Sequence, residues 1–184
     1  MKRKVIFDID DILWPLNEKM CEITGIDINR IIHYNIDTNP LLTEEERDLI
    51  RKTYRSDKLF YDIKWYPGIE RINSIDADVY VKSNAMTQSA ADIKYMQLIQ
   101  VLDLPDSHID ISVTLDAYSK KIPTDTYIFI DDSPHNLAIS PASHNIALNK
   151  PWNTSDDMLK ILHETRLFRC NTLNDIIDKV NKLL

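Results

Sequence analysis

Five aspartates carry the most chemistry in this chain. Asp8, Asp10 and Asp11 follow the apolar run Val5-Ile6-Phe7, and Asp131 and Asp132 follow Tyr127-Ile128-Phe129-Ile130. Clustered carboxylates repel, and each holds its proton to higher pH unless a counter-charge is present. A hard divalent cation relieves the repulsion. Mg²⁺ takes oxygen ligands and keeps positions open for water or substrate. Acids two residues apart on an extended strand point to the same side. Asp8 can then attack phosphorus while Asp10 handles a proton. A carboxylate nucleophile splits phosphoryl transfer into two displacements through an aspartyl-phosphate. Its partner protonates the leaving alcohol and then deprotonates the attacking water. A DxD alone is weak, because aspartate after a strand is common in turns. Two acidic clusters, each behind a buried-strand pattern, make the stronger signal.

Two further pieces fit phosphate. Ser83-Asn84 follows Val79-Tyr80-Val81 and is expected to lead into a helix. A hydroxyl and free backbone N–H groups at a helix start cradle an anion; the plainer role is a helix cap. Lys120-Lys121 precedes Asp131 by about ten residues and offers a cation to bridge nucleophile and phosphate. Taken alone, it would read as a solvated loop charge.

Elements must bring these groups together. The short apolar runs at 5–7, 79–81, 109–113, 127–130 and 146–148 read as strands buried on both faces, as in a parallel sheet. Tyr95, Leu98, Ile99 and Leu102 have the spacing of an amphipathic helix. Thr172 and Asp175 form a variant capping box ahead of the stripe Leu173, Ile176, Ile177 and Val180. Alternating strands and helices predict an α/β fold with a parallel sheet. Residues 14–66 break the rhythm. They hold the capping box Thr43-Glu44-Glu45-Glu46 and the aromatics Trp14, Tyr34, Tyr54, Phe60, Tyr61, Trp65 and Tyr66. This stretch reads as a helical insert, or cap, after the first strand. Residues 1–13 and 67–184 form the core, with Pro67-Gly68 marking the return. Strand C-termini line one edge of a parallel sheet, where ligands bind, so the two acidic clusters should converge.

The 184 residues suit one core with a small insert, and 43% hydrophobic with 28% charged is an ordinary globular composition. The net charge of −7 and the lack of a Lys/Arg-rich stripe disfavour long nucleic acid as a partner. Cys21 and Cys170 read as free thiols in a reducing compartment. The start MKRKVIFDID resembles no signal or transit peptide, and no apolar run reaches membrane-span length. The expected location is the cytoplasm, with no membrane partner. The five histidines show no zinc spacing, and no glycine-rich nucleotide loop is present.

In order, FDIDDILWP, VYVKSNA, Lys121 (or Lys120, one place off) and FIDDSPHN resemble the four motifs of the haloacid dehalogenase superfamily of phosphatases. Within it, the insert ending FYDIKWYPGIERI, the spacing from Lys121 to Asp131, and IALNKPWN are similar to the 5′(3′)-deoxyribonucleotidase-like group. The resemblance implies a Rossmann-like core with a small helical cap. It implies Asp8 as nucleophile and Asp10 as acid/base. Mg²⁺ would be held by Asp8, the backbone carbonyl of Asp10 and one or both of Asp131 and Asp132, and the phosphate by Ser83, Asn84 and Lys121. The substrate would be a nucleoside monophosphate, particularly a deoxy form. Phe60, Tyr61 and Trp65, near the end of the insert, are candidates to stack on a base, and Trp14 could wall the site. This chain departs from the family in Asp11, in Ser rather than Thr at 83, and in Ser133-Pro134 after the second acidic pair. These departures bear on the substrate. The same chemistry on another small ester or a nucleic-acid end, or a binding protein without turnover, are the alternatives.

Overall fold

A computed structural model describes residues 2–114, 120–154 and 167–184. Six parallel strands form one sheet in the order β3-β2-β1-β4-β5-β6. They are β1 Lys4–Phe7, β2 Asp78–Ala85, β3 Ile109–Val113, β4 Thr126–Ile130, β5 His144–Leu148 and β6 Leu167–Cys170. The α-helices among the described residues are α1 Leu16–Thr24, α2 Glu44–Tyr54, α3 Gln88–Leu98, α4 Pro134–Ile139 and α5 Leu173–Leu183. Together these make a Rossmann-like α/β fold.

In β1, β4 and β5 the apolar runs are continuous because both sheet faces are covered there; two-sided burial fails in β2, which buries alternate residues, and in the edge strand β3, which buries none. Val5, Phe7, Ile128 and Ile130 pack with Leu173, Ile176, Ile177 and Val180 of α5 on one side. Ile6 and Phe129 pack with Leu137 of α4 and Ala147 on the other. Successive strand residues point to opposite faces, so an apolar residue is needed at every position. Thr172 and Asp175 close the expected capping box of α5, and Thr43 with Glu46 closes that of α2.

Between β1 and β2 the chain forms α1, α2 and several short 3₁₀ turns. Its base is pinned where Tyr66 N donates to Leu13 O at 2.8 Å. Gly68, at φ 93°, brings the chain back against the first turn of α5. That left-handed φ favours glycine, and a Cβ there would have to push aside the Asn174 side chain, whose Oδ1 it would meet at 2.3 Å.

Two expectations fail here. Helix α3 covers 88–98, ending before Ile99 and Leu102, and it buries Ala90, Ala91, Lys94 and Leu98. Of the Tyr95-to-Leu102 stripe, Leu98 and Leu102 are buried while Tyr95 and Ile99 are not, and the stripe runs past the helix end. Strand β6 had no apolar run to announce it: it is an edge strand with only Cys170 buried. No helix among the described residues is long and apolar enough to cross a membrane.

Candidate active site

Strands β1 and β4 are adjacent at the centre of the sheet, where the strand order reverses direction. Asp8 leaves the end of β1 with its N–H still bonded to Ile130 O at 2.9 Å, and Asp131 leaves β4 with its N–H on Ile146 O at 3.2 Å. The ladder thus carries both acids to the carboxyl edge, the place where ligands bind in open α/β sheets.

One ligand oxygen each from Asp8, Asp131 and Asp132 lie within 4.8 Å of one another, and all three residues are buried. The Lys120 ammonium sits 2.8 Å from Asp8 Oδ2 and 2.8 Å from Asp131 Oδ2. Burial, opposed by Lys120 and reinforced by Asp131 and Asp10, pushes the Asp8 carboxyl up to about 7. Burial and then the charges of Asp11, Asp131 and Asp8 raise Asp132 well above the ordinary carboxylate range. Burial works against the Lys120 charge, but Asp131 and Asp8 outweigh it and hold it protonated. These buried acids share too little positive charge, and their donor set is all oxygen. Asn136 Oδ1, buried beside them, has no partner. That is a fit for a hard divalent cation.

The two acids of the last pair differ. Asp131 Oδ1 accepts from Ser133 N at 2.7 Å, and its Oδ2 accepts from Lys120 and Asn136 Nδ2. Asp132 Oδ2 accepts the Trp152 indole N–H at 2.7 Å. Asp132 borders the cavity of about 230 Å³ that Asp8, Asp10, Asp11, Ser83 and Asn84 also line.

Asp10 is placed differently from the strand-alternation argument. After Phe7 the chain coils, with Ile12, Leu13 and Trp14 all donating to Ile9 O. The turn, not an extended strand, brings Asp10 to the cavity. Its Oδ1 accepts from Trp14 Nε1 at 2.9 Å and its Oδ2 from Lys94 Nζ at 2.5 Å. Its carboxylate is held there, outside the three-acid cluster. Trp14 is fully buried and orients Asp10.

Ser83 and Asn84 lie inside β2, paired with Ile111 and Ser112, not at a helix start. The ladder to β3 runs on to Ala85, and Thr87 is the cap that opens α3. Ser83 still faces the cavity, with Oγ 3.4 Å from Lys94 Nζ. Lys121 is exposed. The lysine that reaches the acids is Lys120, because the chain turns only one of these two adjacent side chains inward. Of the three proposed base-stacking rings, only Phe60 lines the cavity. Tyr61 is 53% exposed, and Trp65 is spent stacking on Trp14 at 5.0 Å.

Lys94 carries no signal in the sequence motifs, and Asp11, Tyr34 and Tyr54 stand in the sequence without an assigned role in the site. Lys94 is 1% exposed and also donates to Asn84 O at 2.7 Å. A lysine on the buried stripe of α3 was the available signal. Asp11 sits at φ 55° and is buried; Asn17 binds its carboxylate through both backbone and side chain. Burial, offset by Lys150 and Asn17, raises Asp11 to about 7. Tyr34 and Tyr54 also line the cavity. The Tyr54 hydroxyl donates to Asn17 Oδ1.

The described residues form a Rossmann-like α/β fold with a cluster of buried acids at the carboxyl edge of its parallel sheet. Among solved structures, the chain is similar to a hydrolase from Pseudomonas syringae, with TM-score 0.58, 16% identity and 99% of each chain covered. It is similar to a haloacid dehalogenase-like hydrolase from Streptococcus pneumoniae, with TM-score 0.57, 14% identity, and 97% and 98% covered. A haloacid dehalogenase-like hydrolase from Xanthomonas campestris matches at TM-score 0.52 and 15% identity, over 99% of this chain and 91% of that one. At such identities the likeness establishes the fold. No protein-family model matches the chain, and no curated protein matches its sequence.

Proposed function

We propose that this chain is a Mg²⁺-dependent phosphomonoesterase that hydrolyses nucleoside monophosphates, including deoxy forms, through an aspartyl-phosphate on Asp8. The observation that carries the reading is the buried trio Asp8, Asp131 and Asp132 at one end of a cavity, with Asp10 held beside it. Asp8, Asp132 and Asp131 would hold Mg²⁺, which neutralises charge on the transferring phosphoryl group. Asp8 attacks phosphorus. Lys120, bridging Asp8 and Asp131, keeps the nucleophile oriented and offers its charge to the phosphoryl oxygens, to which Ser83 and Asn84 near the end of β2 offer hydrogen bonds. Such fixed charge is the main source of phosphoryl-transfer catalysis. Asp10, steadied by Trp14 and Lys94, gives a proton to the leaving oxygen and later takes one from water.

Residues 14–66 act as a cap over the core of 1–13 and 67–184. Leu16, Asn17, Tyr34, Ile36, Tyr54 and Phe60 from this segment line the cavity, which favours exclusion of water and of polymeric substrates. The chain works in the cytoplasm on a small phosphorylated substrate, not on long nucleic acid or membranes. A cavity of about 230 Å³ lies just under the usual ~300–1,000 Å³ of ligand sites. This size favours, as a second reading, the same chemistry on a smaller phosphate ester.

The test is a panel of nucleoside monophosphates, sugar phosphates and an aryl phosphate, assayed with Mg²⁺ and after chelation. Activity is expected to vanish with chelator and return with Mg²⁺. Asp8→Asn is expected to abolish it, and Asp10→Asn to cost ~10²–10⁴-fold. Full activity in Asp8→Asn would sink the covalent route. Equal rates across the panel would remove the nucleotide assignment alone.

A further inference from the structure

We propose that the turn 149–153 is a clamp that positions Asp132 for its cation, with the Trp152 indole as the contact; this deepens the metal-dependent reading above and rests on it. Trp152 is 1% exposed. Its Nε1 donates to Asp132 Oδ2 at 2.7 Å. An indole N–H only donates, so it fixes one carboxylate oxygen and leaves the other for a cation.

The backbone of the same residue is held from the same turn. Asn153 Nδ2 donates to Asp132 O at 3.1 Å and to Leu148 O at 2.8 Å. Asn153 Oδ1 in turn accepts from Lys150 N at 3.1 Å and from Arg169 Nη2 at 2.9 Å. Arg169, on β6, adds Nη1 to Asn153 O at 3.0 Å and Nε to Asn149 Oδ1 at 2.7 Å. Both ends of the Asn153 amide are thus engaged, and the turn is tied to β5 and β6 together. Asp131 has no such support: its bonds come from its own loop, from Asn136 and from Lys120. The clamp therefore acts on the acid that borders the cavity.

A bond from outside a metal's ligand shell that orients a ligand typically sets ~10–100-fold in metal affinity. A tryptophan that merely filled the core would set stability and nothing else. Mn²⁺ binding, followed by loss of the free-ion paramagnetic resonance signal, separates the two roles in wild type and Trp152→Phe. Melting curves and kcat at saturating Mg²⁺ are recorded alongside. The clamp predicts an Mn²⁺ Kd raised about 10- to 100-fold, with a much smaller fall in kcat once the site is saturated. An unchanged Kd in a folded Trp152→Phe, even with a lowered Tm, overturns the proposal. If the phenyl variant fails to fold, the sulfur isostere of tryptophan placed at 152 removes the N–H and keeps the ring size; an unchanged Kd there overturns it equally. A wild-type chain that binds no Mn²⁺ fails the metal reading first and takes the clamp with it.

Discussion

Lys120 and Lys121 are neighbours in sequence and opposites in environment: one is buried between two carboxylates, the other is exposed. The consequence is a sharp asymmetry between two substitutions. Lys120→Met leaves Asp8 and Asp131 facing each other without their shared cation. Breaking a buried pair in this way costs ~3–5 kcal/mol, and losing one preorganised charge from a phosphoryl site costs ~10²–10³ in kcat. Lys121→Ala, on the surface, should stay within about 0.5 kcal/mol of wild type and keep its rate. Melting curves and hydrolysis of an aryl phosphate check both; a damaged Lys121 variant beside a healthy Lys120 variant would reverse the assignment. The sequence offered the pair but no means of choosing within it, because which of two adjacent side chains faces inward is set by the path of the incoming loop.

The elements were legible where burial is two-sided. Strands β1, β4 and β5 stood out because a sheet covered on both faces needs apolar residues at consecutive positions, and β1 and β4 ended in the acids that matter; β2 and the edge strand β3 also carry apolar runs, but β2 buries only alternate residues and β3 buries none. Strand β6, at the opposite edge from β3, stayed hidden because its four-residue run is broken by Arg169, which braces the turn behind Asp132. Ser83 was found for the right side chain and the wrong element, since β2 runs two residues past it before α3 begins. Lys94 was lost with the misplaced face of that helix. In the segment between β1 and β2, aromatic content alone could not tell lining from packing. Tyr61 faces solvent and Trp65 packs on Trp14, while Phe60 lines the cavity and has its carbonyl held by Gln97 Nε2 at 2.9 Å. Phe60→Ala should therefore lower kcat/KM for a nucleotide by about ten- to hundredfold, the ~1–3 kcal/mol of one base–aromatic contact, and spare a small aryl phosphate. Tyr61→Ala should change neither. Equal losses on both substrates after Phe60→Ala would make that ring a packing residue.

On the scale of the whole molecule, protons and cations compete for the same acids. Asp8 and Asp11 each rise, mainly through burial, from an ordinary 3.8 to about 7. An acid whose folded pKa lies above its unfolded one keeps its proton longer in the folded chain. Between about pH 4 and 7 the folded state then binds more protons than the unfolded state, and the stability of the cation-free chain falls as pH rises through that window. On the proposed metal reading, a divalent ion would have to displace the protons that burial holds on Asp8 and Asp132, so its hold would tighten as pH rises. The Mg²⁺-induced increase in Tm should be larger at pH 7.5 than at pH 5.5, read by melting at fixed metal concentration. A pH-independent increase would show that these carboxylates are not the ligands.

The chain has three tryptophans, and none is remote from the cavity. Trp14 and Trp152 each give an indole N–H to an acid that lines it, and Trp65 stacks on Trp14 at 5.0 Å. The indole emission of this protein is therefore the emission of its cavity region, with no distant tryptophan to dilute it. A change of charge on Asp10 or Asp132 falls directly on a fluorophore. Occupancy of the cavity can be followed in the unlabelled chain, by light, before any product is formed.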